Sequence, residues 1–293
     1  MKKLAPFFVA IGAISYGIPA SLFKLAGRDG VANGPLLFWS FLTSAVVLTA
    51  IHLVRGPRLS VQATSWRQIL LVAAAGTASG LTNTFYITAL RSIPVAVAAV
   101  MLMQSVWLSV LLGAVIHHRW PSRLQVISIV LVLGGTVLAA GLLPITGSLS
   151  LVGVLLSFLA AVAYAATLQA TASLGNNLDP LSKTWLMAVG AFILIAIVWG
   201  PQLLRVPLTG TAVGWGALVA VFSMILPLAC YSIFMPRLLP GVGPVLSSLE
   251  LPASIVVAFL LLGERVAMSQ LLGVFIIIGA VTLSNVGPRL WHH

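Results

Sequence analysis

One carboxylate in the sequence stands where a charged group is costly. Glu250 is one of four acidic residues, and it lies near the middle of an apolar run long enough to cross a bilayer. An ionisable side chain at that depth costs about 3 kcal/mol or more. No lysine or arginine is expected near the middle of any apolar run to pair with it. The carboxyl group is therefore protonated, solvated in a cavity or paired with a cationic ligand, and each of these favours a functional role.

Other polar side chains fall on single helical faces within apolar runs. Ser79, Thr82, Asn83 and Tyr86 follow the spacing i, i+3, i+4 and i+7. The candidate substrate-binding residues chosen on this basis are Tyr16, Ser79, Asn83, Tyr86, Gln104, Trp107, Tyr164, Ser247 and Glu250. Such faces belong on the inside of a helical bundle, where they would surround one central cavity.

Structural explanations compete with a binding role for most of these residues. Serine and threonine hydroxyls in membrane helices often bond to a carbonyl of their own helix. Asn83 and Gln104 could equally join neighbouring helices, and the tyrosines could equally serve to fill the core. Trp107 lies in mid-run and needs a partner for its N–H group, which favours cavity lining. Glu264 beside Arg265 is more typical of a pair that fixes a turn.

The composition excludes a soluble protein. The chain is 60% hydrophobic and 6% charged, whereas soluble domains are roughly a quarter charged. The net charge of +11 comes from cations between apolar runs, which is the pattern of membrane loops and not of a nucleic-acid surface. The single Cys230 excludes a cysteine-based metal cluster. No Walker-type glycine loop is present, and His117-His118 has no acidic ligand nearby, so we expect no cofactor, no metal and no enzyme.

Hydropathy predicts ten transmembrane helices in an all-α protein. The predicted spans are approximately 4–23, 35–53, 69–90, 94–116, 124–142, 149–174, 181–200, 213–235, 243–262 and 266–286. With the N-terminus inside, ten lysines and arginines lie on the inner side and five on the outer side. The positive-inside rule then places both termini in the cytoplasm.

The two halves of the chain resemble each other. A shift of 146 residues places Arg91 on Arg237, Pro94 on Pro240 and Gln104 on Glu250. We predict two repeats, residues 1–145 and 146–293, of five helices each. Because five is odd, the second repeat must be inverted, which is the architecture of secondary transporters with a site between the halves. The glycine pairs Gly76/Gly80 and Gly210/Gly214 predict close helix contacts.

The end of the chain resembles a known family. Glu250, Pro252, an apolar run, Gly263-Glu264-Arg265 and a glycine-spaced final helix are similar to the end of an EamA-type domain of the drug/metabolite transporter superfamily. In the family the proline directly follows the glutamate, whereas here Leu251 intervenes. The resemblance covers nearly the whole chain and implies the same ten-helix, two-repeat plan. Among the branches the chain looks most similar to YddG-type amino-acid exporters of the bacterial inner membrane.

Together these features predict a secondary transporter of the bacterial inner membrane, working as a monomer in the lipid bilayer. It would export small metabolites by alternating access through a central cavity. Amino acids, aromatic ones included, are the expected substrates. Efflux of lipophilic or other organic cations is the alternative. A passive pore would need a polar lining through its whole length, and an intramembrane enzyme would need a second catalytic group beside Glu250.

Overall fold

The structure is a computed structural model that describes residues 4–56, 65–118, 120–141, 150–203 and 209–290. Within these ranges all regular secondary structure is helical. Eight segments are long and apolar enough to cross a membrane, and two shorter apolar helices, Arg123–Ala139 and Met268–Ser284, occupy the positions of the fifth and tenth spans. The predicted polytopic helical architecture is therefore confirmed.

The first five spans contain seven helices. They are α1 (Ala5–Tyr16), α2 (Pro19–Arg28), α3 (Asn33–Val54), α4 (Trp66–Ala89), α5 (Val95–Leu102), α6 (Ser105–His117) and α7 (Arg123–Ala139). Side chains cap the first turn of two of them, Ser65 at α4 and Ser122 at α7, because the free N–H groups of a first turn need acceptors. Ser122 and Gln125 form a capping box at the start of α7.

The second five spans contain the remaining helices. They are α8 (Leu151–Ser173), α9 (Pro180–Leu203), α10 (Gly210–Ala220), α11 (Leu226–Phe234), α12 (Val242–Ser247), α13 (Glu250–Leu262) and α14 (Met268–Leu290). A π-helical turn, Val221–Ile225, joins α10 to α11, and a 3₁₀ turn, Met235–Arg237, follows α11. The predicted boundary between the repeats, at residue 145, lies outside the described residues. So do several cations behind the predicted orientation, namely Lys2, Lys3, Arg58, Arg119 and Arg205.

Corresponding spans of the two halves are interrupted at corresponding places. The fourth span breaks at residues 103–104 and the ninth at residues 248–249. The helices that follow, α6 and α13, are both 13 residues long and both end on a left-handed residue. The two breaks are therefore offset by 145 residues, from 103 to 248, which is within one residue of the 146-residue shift that paired Gln104 with Glu250.

Two other pairs of spans differ between the halves. The first span breaks at Gly17 and Ile18, whereas its counterpart, the sixth span, is the continuous α8. The eighth span contains the π turn, whereas its counterpart, the third span, is the continuous α4. The irregular first and eighth spans contact each other through α1 and α11. The two halves thus have the same order of spans, but in these two pairs one span is interrupted and its counterpart is continuous.

Helix contacts follow the repeat. α4 packs on α8 and α9, and its counterpart in the second half, α10 with α11, packs on α1 and α3. α7 and α14 pack together. Gly76 and Gly190 let α4 and α9 touch backbone to backbone, because an added Cβ on either would overlap a carbonyl group of the other helix. The close contact predicted for Gly210 and Gly214 is wrong, since nothing described lies within 4 Å of a Cβ built on either.

Candidate functional site: a cavity closed at one end

A cavity of about 710 Å³ enters the bundle from one side. Most of its wall comes from the first, third, fourth and ninth spans. The second, fifth and tenth spans contribute one or two residues each at their ends, and the sixth and eighth contribute Tyr164 and Ser223. The exposed side chains of Lys24, Glu264 and Arg265 stand at its mouth. We call this the mouth side; it is the side on which α2 ends and α13 is joined to α14. Under the predicted orientation it is the outer side of the membrane.

Glu250 lies on the wall of this cavity, away from the mouth. It is the first residue of α13, directly after the break in the ninth span. The hydroxyl group of Tyr164 donates a hydrogen bond to Glu250 Oε2 over 3.1 Å. Tyr16 and Tyr86 also line the cavity and lie close enough to interact electrostatically with the carboxyl group. A carboxylate surrounded by three aromatic rings can bind an ammonium group through an ion pair and through cation–π contacts.

The backbone geometry that presents Glu250 depends on the break in the first span. α1 ends at Tyr16, and Pro19 starts α2. A Cβ built on Gly17 would lie 2.6 Å from the Glu250 carbonyl oxygen and 2.7 Å from Ala253 Cβ. Only a glycine at position 17 therefore allows the break in the first span to pack against the break in the ninth span. Interrupted helices whose ends meet near the midplane are the arrangement in which transporters build their binding sites.

The polar face of α4 forms the opposite part of the wall. Ser79, Thr82, Asn83 and Tyr86 all line the cavity. Thr82 donates to the carbonyl of Ala78 over 2.8 Å, and Asn83 Nδ2 donates to the carbonyl of Ser79 over 3.0 Å. Thr82 and Asn83 thus donate to backbone carbonyls of their own helix, and the side-chain Oδ1 of Asn83 remains as an acceptor for a solute.

Three predicted site residues do not line this cavity. Trp107 Nε1 donates to Gln104 Oε1 over 2.9 Å, and Gln104 Nε2 donates to the Val100 carbonyl over 3.2 Å. The buried Ser247 donates to the Pro244 carbonyl over 2.6 Å. Each of the three lies at or beyond a helix break, on the side away from the mouth. The prediction that Trp107 lines the cavity does not hold for this conformation; the partner that its N–H group was expected to need is Gln104.

The cavity is closed on the side away from the mouth. The central aromatic residues pack into a hydrophobic core there, which includes Val106, Tyr231, Met235 and Leu246. Tyr16 contacts Tyr164 edge to face with ring centroids 6.0 Å apart, and Tyr231 at 5.7 Å. Phe8 and Phe234 stack at 4.4 Å between the first and eighth spans. Among the described residues, this packing separates Glu250 from the side away from the mouth, and the cavity connects it to the mouth side.

Sequence reasoning missed several residues of the wall. Lys24 and Glu264 form an ion pair of 2.6 Å at the mouth, where Glu264 was expected to pair with Arg265. Ser223 lies on the wall at the π turn of the eighth span. The signal that could have indicated it is Pro227, because a proline within a helix disturbs the hydrogen bonds of the preceding turn. Among the described residues, no group of His, Cys, Asp and Glu side chains could hold a metal ion.

A bundle of interrupted apolar helices around a cavity open to one side is the structure of a membrane carrier. The family model described as the EamA-like transporter family matches residues 3–141 and 151–286, one match in each half. The chain belongs to the EamA-like transporter family and is a membrane transporter. A solved structure named "Crystal structure of protein" has the same fold, with a TM-score of 0.80 over 97% of this chain and 98% of its own, at 19% identity. No curated protein matches the chain by sequence.

Proposed function

We propose that this transporter exports amino acids across the bacterial inner membrane by alternating access. The observation that carries the proposal is the carboxylate of Glu250 among Tyr16, Tyr86 and Tyr164 on the wall of a cavity that is closed at one end. Such a site favours a solute with an ammonium group. A volume of about 710 Å³ accommodates any amino acid, aromatic ones included, and we expect the transporter to work as a monomer.

The conformation fits one state of a carrier. The mouth is open and the far side is filled with packed side chains, so a solute bound at Glu250 would have access to one face of the membrane. With both termini in the cytoplasm, this is the state that releases an exported solute. A pore would need a continuous polar path, and the core beyond Tyr164 interrupts any such path. Release would be driven by the solute gradient or by exchange for protons on Glu250.

Efflux of lipophilic cations is the second candidate. Apolar side chains form much of the wall, among them Ile87, Leu90, Val95, Leu251 and Ile255. A lipophilic cation would place its charge at Glu250 and its apolar part against these side chains. Both candidate functions therefore need the Glu250 carboxylate, and they differ in the chemical groups that the rest of the solute must carry.

Counterflow into proteoliposomes tests the proposal. Vesicles loaded with unlabelled amino acids are assayed for uptake of the labelled compound with the wild type and with Glu250→Gln, which keeps an acceptor for Tyr164. We expect saturable exchange by the wild type and a loss of about tenfold or more in the variant, because the ion pair with the ammonium group is removed. Wild-type exchange in the variant would refute the ammonium site. Exchange of organic cations without any exchange of amino acids would favour efflux of lipophilic cations over amino-acid export. Repeating the assay at two pH values distinguishes exchange for protons from release down the solute gradient.

A further inference from the structure

Two tyrosines of the cavity wall, Tyr16 and Tyr86, have hydroxyl groups that form no hydrogen bond within the described chain. Both side chains are partly exposed and line the cavity, and neither hydroxyl has a hydrogen-bond partner among the described residues. The other two tyrosines differ from them. The Tyr164 hydroxyl donates to Glu250 Oε2, and the Tyr231 hydroxyl is enclosed in the core and does not line the cavity. The hydroxyls of Tyr16 and Tyr86 are therefore free to bind a solute.

Both tyrosines lie close to the carboxyl group of Glu250, with which they interact electrostatically. The Tyr16 ring contacts the Tyr164 ring edge to face, with centroids 6.0 Å apart, and the Tyr164 hydroxyl is bonded to Glu250. The residue after Tyr16, Gly17, packs against the backbone of Glu250. Tyr86 lies on α4, which forms the opposite part of the wall. One carboxylate and two free hydroxyls therefore border the same part of the cavity.

The other polar side chains at this depth are engaged within the protein. Thr82 and Ser254 each donate to a carbonyl of their own helix over 2.8 Å. Ser79 Oγ donates to the sulfur of a buried methionine at 3.8 Å, and the Ser223 hydroxyl is enclosed by protein atoms. Asn83 Nδ2 donates to a backbone carbonyl over 3.0 Å and keeps one further N–H. The Asn83 amide is therefore the alternative donor to the two tyrosines.

The cationic side chains of the cavity wall are too far from Glu250 to bind the same small solute. Lys24 and Arg265 are the cations that line the described cavity, and both lie at its mouth. α13 has 13 residues, so Arg265 lies roughly 18 Å or more along the helix axis from Glu250 at 1.5 Å per residue. Lys24 is already paired with Glu264, and Ser21 lies on α2, on the mouth side of the break in the first span. Within the described cavity, a carboxylate beside Glu250 therefore meets neutral donors.

We propose that the hydroxyl groups of Tyr16 and Tyr86 donate hydrogen bonds to the carboxylate of a zwitterionic substrate whose ammonium group binds Glu250. The inference rests on the proposed function and narrows its substrate class. A tyrosine hydroxyl forms a strong bond to a carboxylate without adding a second charge to the bundle. An α-amino acid carries both charged groups on one carbon atom and engages the acid and the hydroxyls together, whereas an amine leaves both hydroxyls unpartnered. The two hydroxyls thus favour amino acids over simple organic cations.

Phenylalanine substitutions test this role, because they remove each hydroxyl and keep the ring. Affinity is measured by competition in counterflow for L-phenylalanine and its decarboxylated form, phenethylamine, with L-leucine and isoamylamine as a second pair. For Tyr16→Phe and for Tyr86→Phe we expect about tenfold or more weaker competition by the amino acids, because a hydrogen bond to a charged group is lost. The amines should change by less than about twofold, because the ring still provides the cation–π contact.

Two control variants make the comparison specific. Tyr164→Phe is the same chemical change beside the same carboxylate, but the bond that it removes is to Glu250. It should therefore weaken competition by amino acids and amines alike. Ser254→Ala alters the same cavity wall at a hydroxyl that already donates to the Leu251 carbonyl over 2.8 Å, and it should leave all four affinities unchanged.

Each other outcome overturns a different statement. Equal weakening of amino acids and amines in Tyr16→Phe and Tyr86→Phe, or none, would refute the role of the two hydroxyls while the ammonium site stands. A selective loss in Asn83→Ala, but in neither tyrosine variant, would assign the carboxylate to the Asn83 amide instead. Wild-type binding of none of the four probes, or of the amines alone, would refute amino-acid export itself. If one tyrosine variant does not give a monodisperse protein, the other tests the proposal, since each should show the selective loss by itself.

Discussion

Replacing Gly17 with alanine tests whether the two helix breaks must touch for the site to exist. The added Cβ would lie 2.6 Å from the Glu250 carbonyl oxygen and 2.7 Å from both Ala253 Cβ and Ser254 N. Non-bonded atoms settle at about 3.5 Å or more, so the first span would have to move by roughly 0.9 Å away from α13. The obstructing atoms are backbone atoms and a short side chain, which cannot swing aside.

Overpacking of this kind costs about 1–3 kcal/mol. We therefore expect Gly17→Ala to lower the thermal unfolding temperature in detergent by several degrees. Transport should suffer more than stability does, because the shift separates Tyr16 from Glu250. Counterflow normalised to the amount of folded protein measures this second effect.

The control substitution is Gly27→Ala in the same span. Nothing lies within 4 Å of a Cβ built on Gly27, and alanine is favoured over glycine within a helix by up to about 1 kcal/mol. This variant should be as stable as the wild type or slightly more so. If Gly17→Ala and Gly27→Ala behave alike in both assays, the contact between the breaks does not hold the site together.

Two further substitutions test individual hydrogen bonds. Ser15→Ala leaves the Phe222 carbonyl without a donor and should reduce the free energy of unfolding by about 1–3 kcal/mol. The control Ser40→Ala removes a hydrogen bond within one helix and should cost clearly less in the same thermal unfolding experiment. Equal losses would argue against a special role for the Ser15–Phe222 hydrogen bond. Tyr164→Phe removes the 3.1 Å bond to Glu250 and should weaken substrate competition by about threefold to tenfold while the unfolding temperature stays close to that of the wild type. Unchanged affinity in that variant would mean that Tyr164 does not position the carboxylate.

The helices could be predicted from the sequence because burial in lipid imposes one strong rule. Every span needs about 20 apolar residues, and a chain with 6% charged residues leaves few places for the connections. The interruptions could not be predicted in the same way. Averaging over a window long enough to detect a span also conceals two-residue breaks such as 103–104 and 248–249.

The same breaks explain which site residues could be found. α4 is continuous, so helical spacing correctly placed Ser79, Asn83 and Tyr86 on one face. The spacing from Ser247 to Glu250 assumed one helix, whereas the break at residues 248–249 separates the two residues into different helices. Ser223 has no polar neighbour at helical spacing, and it lies in the π turn of the eighth span. Periodicity therefore finds sites on regular helices and misses those that irregular backbone creates.

The differences between the repeats bear on how one site can serve both sides of the membrane. Glu250 directly follows the break of the ninth span, whereas the matching place after the break of the fourth span holds Gln104 and Ser105, so the inverted repeat supplies a carboxylate at one of two equivalent positions. Two symmetric acids would create two sites, each closer to one face. With a single acid, the proposed alternating access requires that the carboxylate stays in place while access changes around it. The break of the first span at Gly17 lies against Glu250, and the π turn of the eighth span contacts that same first span through Ser15, whereas their counterparts α8 and α4 are continuous. The proposed movement between states should therefore bend the first and eighth spans more than the sixth and third. Distances measured between spin labels on α1 and α8 should then change, while those between labels on α4 and α9 should stay nearly constant.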